Sequence, residues 1–530
     1  MSYTSLTYVV FMIVVGVLYY CIPKKARWGV LLASSVVFYF FASRFLIAYL
    51  GVTTITIYLC GLWIDKISTS FKENKKKPDV SKDEIKALKT KMKRDKKIAI
   101  AVAIIVNFGI LFFLKYFNAF GNGINMTLSI FGVDALMPHL KFIAPLGISY
   151  YTLQAVSYII DVYRGTYKAD KNFFRLSLYV CFFPQMVEGP IGRYDKMAHQ
   201  LYEGHEYNYQ NICHGVQLMV WGLFKKMVIA DRAAMLVNTV FDHSENYSGF
   251  IVLIGAILYT VQIYAEFSGC MDLVTGTAEV FGISLAQNFR QPFFSGSIDE
   301  FWRRWHITLG AWLRDYIFYP VSLSKATQSL SKKVKGRFGE HLSKFIPMAF
   351  ALFFVWIGNG IWHGAGAKYI FYGMYYYVIM MLGKLLEPFF QKVLEKLKIN
   401  TENLFYKGFC ILRTSFIVLI GMLIFRANSL KTAFKMFASM FTGLSIKALG
   451  DGTLLSLELS GKDFIVLLIG IIAMFVVDIL HEKNIEIRKT VSKQFVVLRW
   501  AFYLIAIFSV IIFGIYGEGY TLGSFIYGDF

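Results

Sequence analysis

The sequence predicts an all-α polytopic integral membrane protein with about 11–13 membrane helices. Two observations carry this. Hydrophobic residues make up 56% of the 530-residue chain, aromatic residues 17% and charged residues only 17%, more apolar content than a soluble core of this length needs. Long apolar runs also alternate with short basic ones, the pattern of membrane spans joined by solvated loops.

Taken in order, runs long enough to cross a bilayer, at roughly 17–25 residues each, lie near 5–22, 28–43, 45–64, 98–117, 142–160, 248–268, 346–362, 368–386, 408–425, 463–480 and 498–516. The 170–247 region is broken by Pro184, Pro190 and several charges, and one net crossing is assigned to it. The Met1–Cys21 segment lacks a basic start and a small-residue cleavage site before Lys24, so it is read as a retained first helix.

The formal net charge of +21 does not signal nucleic acid, because the charges cluster in short segments between spans. Asp65 to Lys97 carries Lys75-Lys76-Lys77 and Lys91-Met92-Lys93-Arg94-Asp95-Lys96-Lys97; further clusters are Lys24–Arg27, Ser322–Lys344, Gln391–Lys407 and His481–Arg499. Placing all of them on the cytoplasmic side gives a consistent alternation of spans. The N-terminus, Arg426–Lys462 and the tail from Gly517, which lacks Lys and Arg, then face outward. A solvated loop is the favoured reading of Ser68–Lys97, with an amphipathic helix over Ser81–Lys97 as the alternative.

No repeat or Pro/Gly/Ser-rich linker divides the chain, which predicts a single membrane domain over 1–530: N-terminal helices in 1–170 with the basic cytoplasmic loop 65–97, a core in 171–386, and C-terminal helices in 387–530. Prolines, glycines and paired charges interrupt the pattern from Phe174 to Gly366. Irregular or re-entrant backbone at membrane depth survives only inside protein or beside a wet cavity, so this third is expected to build one. The cysteines, Cys21, Cys60, Cys181, Cys213, Cys270 and Cys410, stand singly beside apolar stretches and read as buried hydrophobes.

Phe301-Trp302-Arg303-Arg304-Trp305-His306 and Gly360-Ile361-Trp362-His363-Gly364 hold the leading candidates for chemistry, since ionisable groups among lipid-length segments cost free energy to bury. His363 ends a span and is flanked by glycines that permit a sharp turn or close approach, with Asn359 and Trp362 beside it. A neutral imidazole suits proton abstraction from a hydroxyl. A hydrogen-bonded structural histidine at a helix end is the competing reading.

His306 belongs to an amphipathic stretch, Ile298–Tyr319, with Trp302, Trp305, Leu309, Trp312 and Leu313 at mostly helical spacing, a pattern that also suits plain packing. On its polar side Arg303, Arg304, Arg314 and Asp315 either satisfy one another or meet phosphates of an acyl donor. Pro184, Gln185, Glu188 and Arg193 in a Pro/Gly-rich turn, Asp272 after Phe267-Ser268-Gly269, and Asn288 complete the set, with structural roles favoured for Glu188, Arg193 and Asp272. No phosphate loop, dinucleotide fingerprint, metal-spaced His/Cys cluster or Gly-x-Ser-x-Gly elbow occurs, which argues against ATP-driven transport and an internal serine hydrolase.

In order along the chain, Pro145-Leu146-Gly147-Ile148-Ser149, Phe183-Pro184-Gln185, Gly189-Pro190-Ile191, Phe267-Ser268-Gly269 with Asp272, Asn288-Phe289 with Pro292, the Glu300-to-Pro320 block, Trp362-His363-Gly364-Ala365, Phe425-Arg426-Ala427 and Phe525-Ile526-Tyr527 resemble the membrane-bound O-acyltransferases. The likeness is to the bacterial branch that acetylates alginate or moves D-alanine onto teichoic acids. Cys270-Met271 and Asn359 depart from the pattern. The resemblance implies an essential histidine at His363 and a second at His306. It also implies a transmembrane catalytic tunnel that carries an acyl group from a cytoplasmic thioester to an outer hydroxyl.

The implied donor is acetyl-CoA or an acyl carrier protein, as substrate rather than bound cofactor, with no metal and no nucleic acid. The implied partners are the lipid bilayer and an extracytoplasmic acetyltransferase-like protein or polymer acceptor, at the plasma membrane. O-acetylation of an exported polysaccharide or cell-wall polymer leads. D-alanyl transfer from a carrier protein to teichoic acid is the alternative, and a glycan-lipid flippase, which needs no histidine pair, is the reading from another class.

Overall fold

The computed structural model describes residues 2–134, 136–140, 144–442 and 452–516, and of 337 and 338 the backbone only. The tail from Gly517, with its Phe525-Ile526-Tyr527 ending, and residues 443–451 of the outward-assigned stretch lie outside the described residues. The described residues are helical, without a strand, and nine helical stretches among them are long and apolar enough to cross a membrane. The protein is an all-α, multi-pass membrane protein.

Two compact units divide it. The first comprises the described residues up to Val216 together with Val274–Ala286. It holds α1 (Leu6–Cys21), α2 (Arg27–Ser43), α3 (Ile47–Lys75), α4 (Lys82–Ile130), α5 (Ile148–Arg164), α6 (Phe173–Cys181), α7 (Tyr194–Glu203) and the start of α8 (Tyr209–Leu223). The second comprises Gln217–Leu273 and the described residues from Gln287 onward. There a π-helical turn, Phe224–Ala230, leads to α9 (Asp231–Asp242), followed by α10 (Phe250–Val280), whose last turns belong to the first unit. Beyond it come α11 (Ile298–Arg304), α12 (Ile307–Leu313), a second π-helical turn, Arg314–Phe318, α13 (Tyr319–Ser322), α14 (Lys325–His363), α15 (Ala367–Lys396), α16 (Leu404–Arg426), α17 (Leu430–Ser439), α18 (Gly461–Glu482), α19 (Ile487–Ser492) and α20 (Val496–Phe513).

The apolar runs map onto these helices closely. α1 buries Tyr8, Met12, Val15 and Tyr19 while leaving Val9, Ile13 and Val17 exposed. An aliphatic outer face of this kind suits lipid and not water. Lys24–Lys75 contains two of the predicted runs, and Tyr209–Asp242 supplies a membrane-length helix inside the region that its prolines and charges obscure. The run at 142–160 is α5, which starts only at Ile148 and is buried along nearly its whole length. Its Ser, Thr, Tyr and Gln side chains are enclosed by protein.

The basic Ser68–Lys97 stretch is mostly helical and not a loop. Ser68–Lys75 finish α3, Lys82–Lys97 open α4, and only Lys76–Ser81 connect them. Ser81 caps α4 by accepting from the Glu84 amide while the Glu84 carboxylate returns to the Ser81 amide. That reciprocal box, with Asp83 in the first turn, starts the helix despite its lysines.

In the second unit α14 breaks at Gly339 (φ 84°) before its apolar half. It then packs on α15 at glycine distance. A Cβ on Gly360 would lie 2.5 Å from the Tyr369 carbonyl oxygen, and one on Gly373 only 2.3 Å from that of Trp356, so neither position accepts a side chain without moving backbone.

Candidate active site

His306 does not sit in one continuous helix as its spacing suggests. The chain breaks between α11 and α12, and His306 adopts the left-handed conformation (φ 48°, ψ 49°). Such a conformation is uncommon outside glycine and has to be held by its surroundings. Asn288 holds it. Its carbonyl accepts from the Ile307 amide at 3.0 Å, its side-chain Oδ1 accepts from the Thr308 amide at 3.0 Å and the Thr308 hydroxyl at 2.9 Å, and the same oxygen lies 3.4 Å from His306 Nδ1. The Asn288 amide in turn donates to Met271 Sδ at 3.2 Å, so Met271, one of the departures from the family pattern, anchors the turn to α10.

The His306 ring is buried between Phe267 (centroids 4.8 Å apart) and Trp362 (5.4 Å). Burial pulls the imidazole down to about 3, well below its ordinary 6.5, because an uncharged ring is far cheaper in this apolar wall than a cation. It is therefore a neutral donor–acceptor at physiological pH.

His363 ends α14, buried, with Gly364 in extended backbone behind it. Its ring meets Trp362 (4.8 Å), Phe425 (5.2 Å) and Tyr372 (5.9 Å) edge to face. A Cβ on Gly364 would lie 2.3 Å from the Tyr369 ring, which shows why the turn after the histidine is glycine. The indole of Trp362 thus touches both histidines, which the sequence separates widely. Asn359 is buried one turn earlier on α14.

The arginines fare differently. Arg304 is enclosed by carboxylates, with Glu300 at 2.7 Å and Glu482 on α18 at 2.7 and 3.0 Å. These bonds, the Glu482 one first, raise its pKa and fix it as a clamp between α11 and α18. Arg303 is exposed and pairs with Asp299, and Arg314 pairs with its neighbour Asp315 at 3.1 Å on the surface of the second π-helical turn. Trp305 is buried, stacked on Phe301 and edge-on to Phe289. Pro184, Gln185 and Glu188 lie buried in the first unit, where the Pro184 carbonyl accepts from Tyr3 and Gln185 donates to Gln154.

Asp272 receives Lys225 at 2.6 Å. That lysine and its neighbour Lys226, both buried in the π-helical turn, were not among the sequence candidates. The signal was available: two consecutive lysines stand inside an otherwise apolar run, Met219 to Ala230, where a surface-loop reading does not fit.

Residues 169–425, a span that takes in both histidines and Asn288, match the model of the MBOAT, membrane-bound O-acyltransferase family. Over that span the chain is similar to this family. It is similar to the probable alginate O-acetylase of Pseudomonas syringae pv. tomato, 31% identical over 342 residues that cover 64% of this chain and 60% of that relative. It is also similar to the peptidoglycan O-acetyltransferase of Helicobacter pylori, 31% identical over 305 residues (53% of this chain, 54% of the relative), and to the teichoic acid D-alanyltransferase of Bacillus subtilis, 29% identical over 297 residues (54% and 70%). The chain spans about 60% of the length of the curated alginate-type relatives it matches.

Proposed function

We propose that this protein is an O-acyltransferase that moves an acyl group, acetyl in the first instance, from a cytoplasmic thioester to a hydroxyl of an exported polysaccharide or cell-wall polymer, through an extracytoplasmic partner. The observation that carries the reading is the convergence of His306 and His363 on Trp362 in a buried aromatic wall. His363 takes the hydroxyl proton as that oxygen attacks the thioester carbonyl, the carbon–sulfur bond breaks, and the proton leaves on the thiol. A thioester needs no serine nucleophile for this, and exclusion of bulk water suppresses hydrolysis. His306, neutral and fixed by Asn288, orients a reacting group by hydrogen bonding. Arg304 acts as a structural clamp in this reading, since its charge is answered by Glu300 and Glu482.

Similarity to alginate and peptidoglycan O-acetyl-transferring relatives supports acetyl. D-alanyl transfer is the second reading, supported by the teichoic acid D-alanyltransferase match. Membrane vesicles of known orientation, supplied with radiolabelled acetyl-CoA or a D-alanyl-loaded carrier protein, separate them by the label that reaches polymer. Label from the D-alanyl carrier alone sinks the acetyl reading; glycan-lipid movement without acyl label favours a flippase.

A further inference from the structure

The two buried lysines of the π-helical turn have no part in the chemistry above, yet they grip the stretch of α10 that supports it. Lys226 Nζ lies 2.8 Å from Glu266 and 2.9 Å from Asp231; Lys225 Nζ lies 2.6 Å from Asp272 and donates to Ser268 at 2.9 Å. Between those anchors stand Phe267, edge-on to His306, and Met271, the acceptor of the Asn288 amide. The spacing is close: Glu266 and Ser268 flank Phe267, and Asp272 follows Met271. The π-helical turn lets consecutive lysines both reach α10, and irregular turns of this kind tend to mark functional positions.

The backbones also meet. A Cβ on Gly222 would lie 2.6 Å from the Gly269 carbonyl oxygen, and one on Gly269 2.9 Å from that of Gly222. Burying two ammonium groups costs several kcal/mol each unless they are paired, and apolar residues of similar volume pack such a helix crossing with less penalty. Stability alone therefore gives a poor account of them.

We propose that Lys225 and Lys226 are positioning residues, whose ion pairs to Asp272 and Glu266 and hydrogen bond to Ser268 lock the rotation of α10 and so hold Phe267 and Met271 against the His306 turn. The proposal rests on the acyl-transfer reading, and one of its two tests does not need activity. Because removal of a single partner leaves a buried charge, the informative variant is the neutral pair K225M/D272L, purified in nanodiscs beside the parent and K225R.

The ring signals of 13C-labelled histidine, with His306 assigned by its loss in H306Q, should shift for His306 in K225M/D272L while the thermal midpoint stays near that of the parent. K225R, which keeps a cation opposite Asp272, should leave the signal near its parental position. In the transfer assay kcat should fall about 100-fold, the loss expected of slight misplacement of a catalytic group, with KM for donor and acceptor within twofold. An unmoved His306 signal with parent-like kcat overturns the proposal, as does a lowered thermal midpoint with neither signal nor kcat changed. If the parent transfers no acyl group, the acyl-transfer reading fails, and the His306 signal still decides whether the lysines position the turn.

Discussion

At the scale of single residues, the behaviour of His306 follows from its enclosure. Its pKa in the folded protein, about 3, lies below the 6.5 of the exposed ring. Between those values the unfolded chain binds a proton that the folded one refuses, so His306 contributes stability above pH 6.5 that is lost as pH falls towards 3, by no more than about 1.4 kcal/mol per pH unit. Thermal midpoints of the parent should therefore fall more steeply from pH 7 to pH 4 than those of H306Q. Parallel curves would show that the ring is not enclosed. For His363, replacement by alanine should cost about 10²–10⁴-fold in acylation rate, the usual contribution of a general base, with membrane abundance near normal. Substantial acylation by H363A in the membrane would remove it from the role.

Elements carry a second class of prediction, because two helix contacts around the site tolerate little change. α14 and α15 approach through Gly360 and Gly373, where backbone oxygens occupy the space of a side chain. G373L should force the helices apart and displace His363, so that both thermal midpoint and acylation fall. G383L, on the same helix with open space around its missing Cβ, should leave both near parental values. At the α11–α18 clamp, R304M strands Glu300 and Glu482 and should destabilise by about 1.5–3 kcal/mol, the value of a lost hydrogen bond to a charged group. Chemical denaturation in nanodiscs measures it, and restoration by E482M in the same background tests that the cost is the unpaired charge.

For the whole molecule, the placement of Lys and Arg between the spans governs orientation. Ser68–Lys97 and Ser322–Lys344 are each too rich in Lys and Arg to translocate readily, so both should lie on the cytoplasmic face. Single cysteines placed in either segment should stay unlabelled by an impermeant reagent added outside intact cells. Strong labelling of one of them overturns the topology, and with it the side from which the donor enters.

The sequence by itself determined the class of protein and the location of its candidate chemistry. Composition and run length suffice for membrane helices, since the bilayer demands about 20 apolar residues per span whatever the neighbours are; α14, α15, α16 and α18 are legible on that ground alone. His306 and His363 were visible too, as polar groups in settings where burial is costly. What only the tertiary structure decided is who answers each charge and which way the backbone turns. Periodicity predicted one helix through His306, but the left-handed turn there is imposed by Asn288, a residue outside that helix. The sequence leaves the arginines open between pairing with carboxylates and meeting phosphates, and the fold places Arg304 against a glutamate on a helix far along the chain. Lys225 and Lys226 stand inside an apolar run, and only the fold shows α10 supplying carboxylates to them. Local propensity acts over a few residues, whereas the partner of a buried charge is chosen by long-range packing, and no single stretch of sequence contains that choice.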